Sequence, residues 1–575
     1  MSNWYICNKK ENYKKLEKYD QFTRLQKRIL GNRDIVDEIK LHSFIDSSFS
    51  NLHDPFLMNY MDQAIERIVE AITMEEKIRI VGDYDQDGVA ATVILMKGIG
   101  SIYPNISYDI PDRIEDGYGL NNSIIDKAVR DGVSLLITCD NGITCVDEVI
   151  YGKKKGLDII ITDHHNPQFD EDGKEILPDT LILNPKISYS NYPFKDLCGA
   201  GVAFKLVSAL FLAIGDNFDL LEDLIQFAAL GTICDVVDLV GENRIIAILG
   251  LKVLNKRENL GLDALLRENS WDREIDYYTV GYIIGPSINS SGRIFDARLG
   301  VELFLSDDKD TVDQYAYELY SLNNERKNMT KKSFDNIVSS LHVDSGIIIE
   351  YNKDIHESIC GLVAGRIKEK YYIPTIILTE SEEDPNILKG SGRSVEEFNM
   401  FENLLKYREY FKSFGGHDMA CGLSIRKDKF IEFREKIKDE FKESKYEKAI
   451  NVDAPISINN ISTDLIDEIE ALAPFGKANP KPKFADKNVR IKRLDMVGRN
   501  KDVMRLLLEK NNVSIQAIMF QAEEVFSYLE KKFGSNLSLS IRGENNNNFI
   551  DIIYYPQINE FNGFKNIQLN IQELR

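Results

Sequence analysis

Apolar positions in the first 75 or so residues recur at helical spacing, as in Met61, Ala64, Ile65, Ile68 and Ala71, and predict a helical lead-in. From about residue 76 short β-rich runs alternate with helical ones. KIRIVGDYD ends in acidic residues and is followed by the helix-like GVAATVILMKGIG, while VSLLITCDNG and LDIIITDHHN are further apolar runs that end in Asp. Strands alternating with helices predict an α/β fold with a parallel sheet. Ligands of such sheets sit beyond the carboxyl ends of the strands. Three acidic strand ends therefore predict a single site.

LIQFAALGTICDVVDL reads as a helix running into a turn near residue 240. Residues 306–341 contain neither Gly nor Pro and carry Val312, Tyr315, Ala316, Leu319 and Leu322 at helical spacing, which predicts a long solvated helix joining two domains. A second α/β unit follows, with SGIIIEYN and IPTIILTE as strands and GSGRS and FGGHDMACG as glycine-rich segments. In the tail, NVRIKRLDMV, VMRLLLEK, SIQAIMF, LSLSIRG and NIQLNIQEL read as short strands of a small barrel or sandwich, with ENNNN at 544–548 as a hairpin tip. The expected division is a lead-in (1–50), a first α/β domain (51–305), a connecting helix (306–341), a second α/β domain (342–447) and a C-terminal β-barrel (448–575).

A chain of 575 residues is expected to hold roughly four domains. Its 43% hydrophobic and 28% charged residues are those of an ordinary globular protein. No run of eighteen apolar residues predicts a membrane span. The opening is polar and lacks the apolar core of a secretory signal, so the cytoplasm is the expected compartment. The seven cysteines form no CxxC pair and read as reduced thiols. A net charge of −21 argues against a basic nucleic-acid coat and by itself leans toward a small-molecule enzyme. Residues 481–510 run the other way, with ten Lys or Arg against four Asp or Glu. A basic barrel face of that kind suits a single strand, and a plain solvated face accounts for it equally well.

The candidate chemistry lies in the acids. Asp83, Asp85 and Asp87 precede Gly88 at a strand end, where three carboxylates are tolerable only if hydrated or shared by cations. A calcium loop would need a Glu shortly after the glycine, and that stretch is apolar instead. Asp140 in CDNG would alone be an ordinary turn. TDHH supplies Asp163, His164 and His165, and Asp235 in TICDVVDL sits in an apolar context where an acid needs a partner. Five Asp and one His are too acidic for a mononuclear zinc site. Oxygen-rich ligands with one imidazole suit Mn²⁺ or Mg²⁺. Such a set can hold two divalent ions about 4 Å apart across a shared carboxylate, the arrangement of two-metal phosphoester hydrolysis.

DYDQDG, CDNG, TDHH and GTICD, in this order, resemble the DHH phosphoesterase superfamily, and GSGRS with FGGHDMACG resembles its DHH-associated domain. PDRIEDGYGLN, LCGAGVAFKL, INSSGR, NNERK and LAPFGKANPKP are similar to the RecJ family of exonucleases, from about residue 40 to the end. The resemblance implies an OB-like C-terminal barrel and a single-stranded-DNA-specific 5′→3′ exonuclease that releases 5′-mononucleotides in repair and recombination, using two Mn²⁺ or Mg²⁺ ions. It implies that Asp83 and Asp85 bind one metal, that Asp87, His164 and Asp235 bind the other, and that Asp140 bridges them. His165 would contact the scissile phosphate and Asp163 would orient a histidine. Arg113, Ser391 and Arg393 would hold the terminal 5′ phosphate, and Arg293 and His417 would touch the DNA. A single-strand-binding protein and a helicase are the implied partners.

INSSGR, the Gly in AGR at 364–366 and the absence of a His in VGRNKDV depart from the family pattern. Two other readings remain at this point: a DHH enzyme for short oligonucleotides or cyclic dinucleotides, which would lack the third barrel, and a non-catalytic DNA-binding relative, which would lack the acids.

Overall fold

A computed structural model describes residues 2–112, 119–498, 501–520, 522–561 and 564–575. The chain divides into two compact units, Asp46–Tyr446 and a second one made of Met1–Ile45 with Glu447–Arg575.

The larger unit contains two α/β domains. In the first, strands β1 (Lys77–Val81), β2 (Ile106–Asp109), β3 (Val133–Cys139), β4 (Asp158–Thr162) and β5 (Leu181–Leu183) form an all-parallel sheet in the order β2-β1-β3-β4-β5. The central strands are apolar along almost their whole length because both sheet faces are covered. Helices α1 (Gln86–Gly100), α4 (Gly199–Ile214) and α5 (Phe218–Cys234) bury one face; α2 (Asn122–Arg130) and α3 (Val146–Lys154) bury the other. Register aligns Val81 of β1 with Thr138 of β3, and Cys139 with Thr162 of β4. The acidic segments that follow these strands therefore leave the sheet at one edge. Asp235 caps the C-terminus of α5, so GTICD is the end of a helix running into a turn, as expected.

Helix α6 (Gly285–Ile294) leads toward the long connecting helix α7 (Lys309–Ser340). Only one side of α7 is solvated. Val312, Ala316, Leu319, Asn323, Thr330, Ser333 and Ile337 form a buried stripe. The second domain has β6 (Ile348–Tyr351), helix α8 (Cys360–Tyr371), β7 (Thr375–Glu380), β8 (Ile387–Arg393), β9 (Phe411–His417) and β10 (Ala420–Arg426), in a mixed sheet ordered β9-β10-β8-β7-β6.

In the smaller unit β11 (Phe484–Val497), β12 (Val503–Lys510), β13 (Val513–Phe520), β14 (Phe549–Phe561) and β15 (Phe564–Leu574) close into a five-stranded barrel through pairing of β11 with β14. Two local expectations fail here. LSLSIRG is a helix, Leu537–Arg542, because Leu537 and Ser540 turn inward three residues apart and the Ser540 hydroxyl donates to the Ile491 carbonyl. The asparagine tract is consequently no hairpin tip. It is a packed loop in which Asn546 donates to Ile491 O and Asn548 to Ser540 Oγ. The lead-in is also not wholly helical: Asn3–Ile6 is a strand paired in parallel with Ala449–Val452.

A buried ion pair anchors α4. Lys205 Nζ lies 2.5 Å from Glu242 Oε1, and Tyr192 OH donates to Glu242 Oε2 at 2.6 Å. Removing one partner strands a charge in the core. Lys205→Met is expected to destabilise this unit by about 3–5 kcal/mol, measured by chemical denaturation; a loss under about 1 kcal/mol would contradict this description of the pair.

Candidate metal centre

The loop after β1 carries Asp83, Tyr84 and Asp85. Asp85 is the N-cap of α1, and its Oδ1 accepts from the backbone amides of Asp87 at 2.8 Å and Gly88 at 3.1 Å. This fixes Asp87 in the first turn, where its carboxylate meets the N-terminus of α4. Gly199 N donates to Asp87 Oδ2 at 2.7 Å and Ala200 N donates to Oδ1 at 2.9 Å. Orphan amides at a helix start are natural partners for an anion.

Glycines make room for the acids. A Cβ on Gly231 would stand 2.2 Å from Asp87 Oδ1, one on Gly199 would stand 2.5 Å from Asp140 Oδ1, and one on Gly88 would stand 2.6 Å from the Asp83 Cβ. Gly88, Gly199 and Gly231 thus serve one purpose, the close approach of backbone to the acidic residues.

Asp140 leaves β3 with a left-handed φ of 63°, uncommon for a residue other than glycine. Its amide donates to Thr162 O, and the neighbouring Asn141 donates to Val81 O and Cys139 O. Strain held in place by such a network is typical of functional positions. His164 Nε2 lies 3.1 Å from Asp140 Oδ1 and 3.8 Å from Asp87 Oδ2, while its Nδ1 lies 3.8 Å from Asp235 Oδ2. That Nδ1 is buried with no hydrogen bond among the described residues. Ligand atoms of Asp83, Asp85 and Asp140 fall within 4.8 Å of one another; so do those of Asp87, His164 and Asp235, and those of Asp140, His164 and His165. All seven acids and histidines expected to be catalytic therefore come together, from four separate stretches of chain. An oxygen-rich set with one orphaned buried imidazole nitrogen fits Mn²⁺ or Mg²⁺.

Asp163 faces the other way. Its Oδ1 accepts from His165 Nδ1 at 2.8 Å and from the His164 and His165 amides, and its Oδ2 accepts from Ile143 N. Burial opposes its ionisation, but the hydrogen bond from His165 and the His165 charge pull its pKa down to about 2. His165 is pushed down by desolvation and raised more strongly by Asp163, to about 9. Asp87, Asp140 and Asp235 go in the opposite direction. Burial and then neighbouring carboxylates raise Asp87 to about 6 and Asp235 to about 7, and raise Asp140 well above the usual carboxylate range. Burial lowers His164 to about 4, leaving a neutral imidazole fit to ligate.

The expected substrate residues lie around this centre. Asn289 of α6 accepts from Gln86 N at 2.7 Å, and Gly292 packs on the Tyr84 carbonyl, so INSSGR buttresses the acidic loop. Arg293 closes that motif and donates to Ser358 O of the second domain at 3.0 Å. On β8, Arg393 Nη1 donates to Ser391 Oγ at 2.7 Å, and both side chains lie against Gly361 at the start of α8. His417, at the end of β9, is exposed, and its Nδ1 accepts from Met419 N at 3.2 Å, leaving Nε2 for solvent or ligand. Arg113 lies outside the described residues. The buttress from Asn289 and the Asp87 cradle at Gly199 and Ala200 were missed in the sequence reading; the glycines of LCGAG and GTICD were the available signal.

Three family models match the chain: the DHH family N-terminal domain over 77–232, the DHHA1 domain over 344–443 and the RecJ OB domain over 452–573. A single-stranded-DNA-specific exonuclease RecJ from Haemophilus influenzae is 32% identical over 91% of this chain and 92% of its own length. The chain belongs to the RecJ family of single-stranded-DNA-specific exonucleases. The RecJ of Bacillus subtilis is 34% identical over 92% of this chain, which spans 65% of that longer protein. Crystalline RecJ from Thermus thermophilus in complex with Mn²⁺ has the same fold, with a TM-score of 0.81 at 20% identity over 100% of this chain and 79% of that one. An exonuclease RecJ bound to manganese matches at a TM-score of 0.59 and 27% identity over 68% of this chain and 96% of that one.

Acids with raised pKa values bind protons that an unfolded chain, with carboxylates near 4, has already lost. Their stabilising contribution is present below about pH 4 and is lost as pH rises toward 7. In chelator, Asp235→Asn should therefore gain stability relative to the parent as pH rises from 5 to 8, measured by thermal melting. A constant difference across that range would contradict the shift.

Proposed function

We propose that this chain degrades single-stranded DNA from the 5′ end to 5′-mononucleotides at a two-metal centre. Asp83 and Asp85 would hold one cation, Asp87, His164 and Asp235 the other, and Asp140 would bridge them. The observation that carries this reading is the meeting of the two ligand groups where Asp140 and His164 stand 3.1 Å apart. When bound, the cations supply an activated water and neutralise charge for in-line displacement at phosphorus.

The protein's own groups do the rest. The Asp163 carboxylate holds His165 protonated at neutral pH and fixes its ring, so that His165 can donate toward an oxygen of the scissile phosphate. Ser391 and Arg393 offer a hydroxyl, a guanidinium fork and the nearby start of α8 to a terminal phosphate, with Arg113 added by family likeness. Measuring from that phosphate gives the 5′ polarity. Arg293 and His417 would meet the strand between the two α/β domains. The barrel is assigned to strand binding on the strength of its fold and basic segment.

Among the described residues no helix is long and apolar enough to cross a membrane. The cytoplasm is proposed as the compartment, supported by seven cysteines that form no disulfide. A helicase and a single-strand-binding protein are proposed partners, as suppliers of the single strand.

With Mn²⁺ and end-labelled oligonucleotides, label at the 5′ end is expected to leave first as a mononucleotide, and a blunt duplex to be degraded far more slowly. Equal rates on both substrates, or release from the 3′ end first, would falsify the reading. Asp140→Ala should lower the rate by more than about a hundredfold while strand binding largely survives; substantial remaining hydrolysis would exclude Asp140 as the bridge.

A further inference from the structure

Two arginines near the junction of the α/β domains stand apart from the acidic cluster and from the Ser391–Arg393 cradle. Arg326 lies on α7 and is half-buried; Arg366 lies on α8 and is exposed. The two helices pack together, and burial, with the nearby Arg366 charge, lowers the pKa of Arg326. Ion pairs with Asp or Glu are common elsewhere in this acidic chain, yet among the described residues neither arginine has one. Both Nε and Nη2 of Arg326 instead donate to Asn323 Oδ1, at 3.2 and 2.8 Å. Asn323 is itself buried and donates to Ser287 Oγ of α6 at 3.2 Å. The guanidinium is thus held by neutral groups, with its charge uncompensated and its Nη1 not engaged in that fork.

Bringing two like charges together costs free energy, more so when one is partly desolvated. An anion lying across both would remove that cost. The location gives the anion its identity. Ser287 is two residues from Asn289, which holds the acidic loop, and Gly365, next to Arg366, packs on the Arg393 side chain. The pair is therefore linked through Ser287 to the helix that holds the acidic loop, and through Gly365 to the Ser391–Arg393 cradle.

We propose that Arg326 and Arg366 form a second phosphate clamp, binding a backbone phosphate of the DNA strand other than the one being cut. This rests on the nuclease reading of the metal centre. Arg326 supplies a preorganised fork, and Arg366 supplies a mobile charge that closes over the phosphate from solvent.

The test uses the full chain in an Asp140→Ala background, to stop turnover, with a fluorescein-labelled oligothymidylate. Each phosphate contact on a single strand adds about 0.7 to the slope of log affinity against log salt. Arg366→Gln and Arg326→Gln should each weaken binding by roughly tenfold and lower that slope by about 0.7. Arg326→Lys should restore the slope with only part of the affinity. Because Arg326 touches the buried Asn323, its variants are accompanied by thermal melts. Among the described residues Arg366 has no hydrogen bond to Asn323, so Arg366→Gln decides the matter if Arg326→Gln is unstable. Unchanged affinity and slope in Arg366→Gln would overturn the clamp. Should the parent enzyme fail to degrade single strands at all, it is the nuclease reading that fails, and the two failures are distinguishable.

Discussion

Five carboxylates gathered around Asp140 and His164 repel one another strongly, and much of the larger unit serves to keep them there. Desolvation compounds the repulsion, which is why Asp87, Asp140 and Asp235 all titrate far above ordinary carboxylates. Such a cluster is costly unless cations share it. The parallel sheet brings the strand ends to one edge, two helix starts offer amides to Asp85 and Asp87, and three glycines let backbone approach the acids closely. Each device lowers the cost of holding negative charge in place before any ligand arrives.

A division of labour between two kinds of acid follows. Asp163 turns from the cluster toward His165 and three backbone amides and stays ionised. It keeps one histidine charged while burial keeps its neighbour His164 neutral. Two adjacent imidazoles, with ring centroids 4.4 Å apart, can therefore serve different ends, one as a ligand and the other as a proton-bearing group.

The first α/β domain was legible in the chain because its strands are buried on both faces and end in acids, so one apolar run announces the strand and the next residues announce the site. The long helix was legible from its spacing and its lack of breakers. Elsewhere local pattern misled. LSLSIRG alternates like a strand, but the buried Ser540 hydroxyl finds Ile491 O and the segment winds into a helix, a tertiary contact that no local pattern reports. The strand at Asn3–Ile6 exists only because Ala449–Val452, far along the chain, offers it an edge. At the site the acids themselves could be read, whereas the supports could not: Asn289 beneath Gln86 and the amides of Gly199 and Ala200 beneath Asp87 depend on distant segments folding together.

Everything at the site turns on whether these acids gather two neighbouring cations. Anomalous diffraction from crystals of the chain grown in Mn²⁺ addresses it directly. Two peaks about 4 Å apart are expected, one on each side of the Asp140 carboxylate, the first beside Asp83 and Asp85 and the second beside Asp87, His164 and Asp235. A single peak, or density away from Asp140, would contradict it.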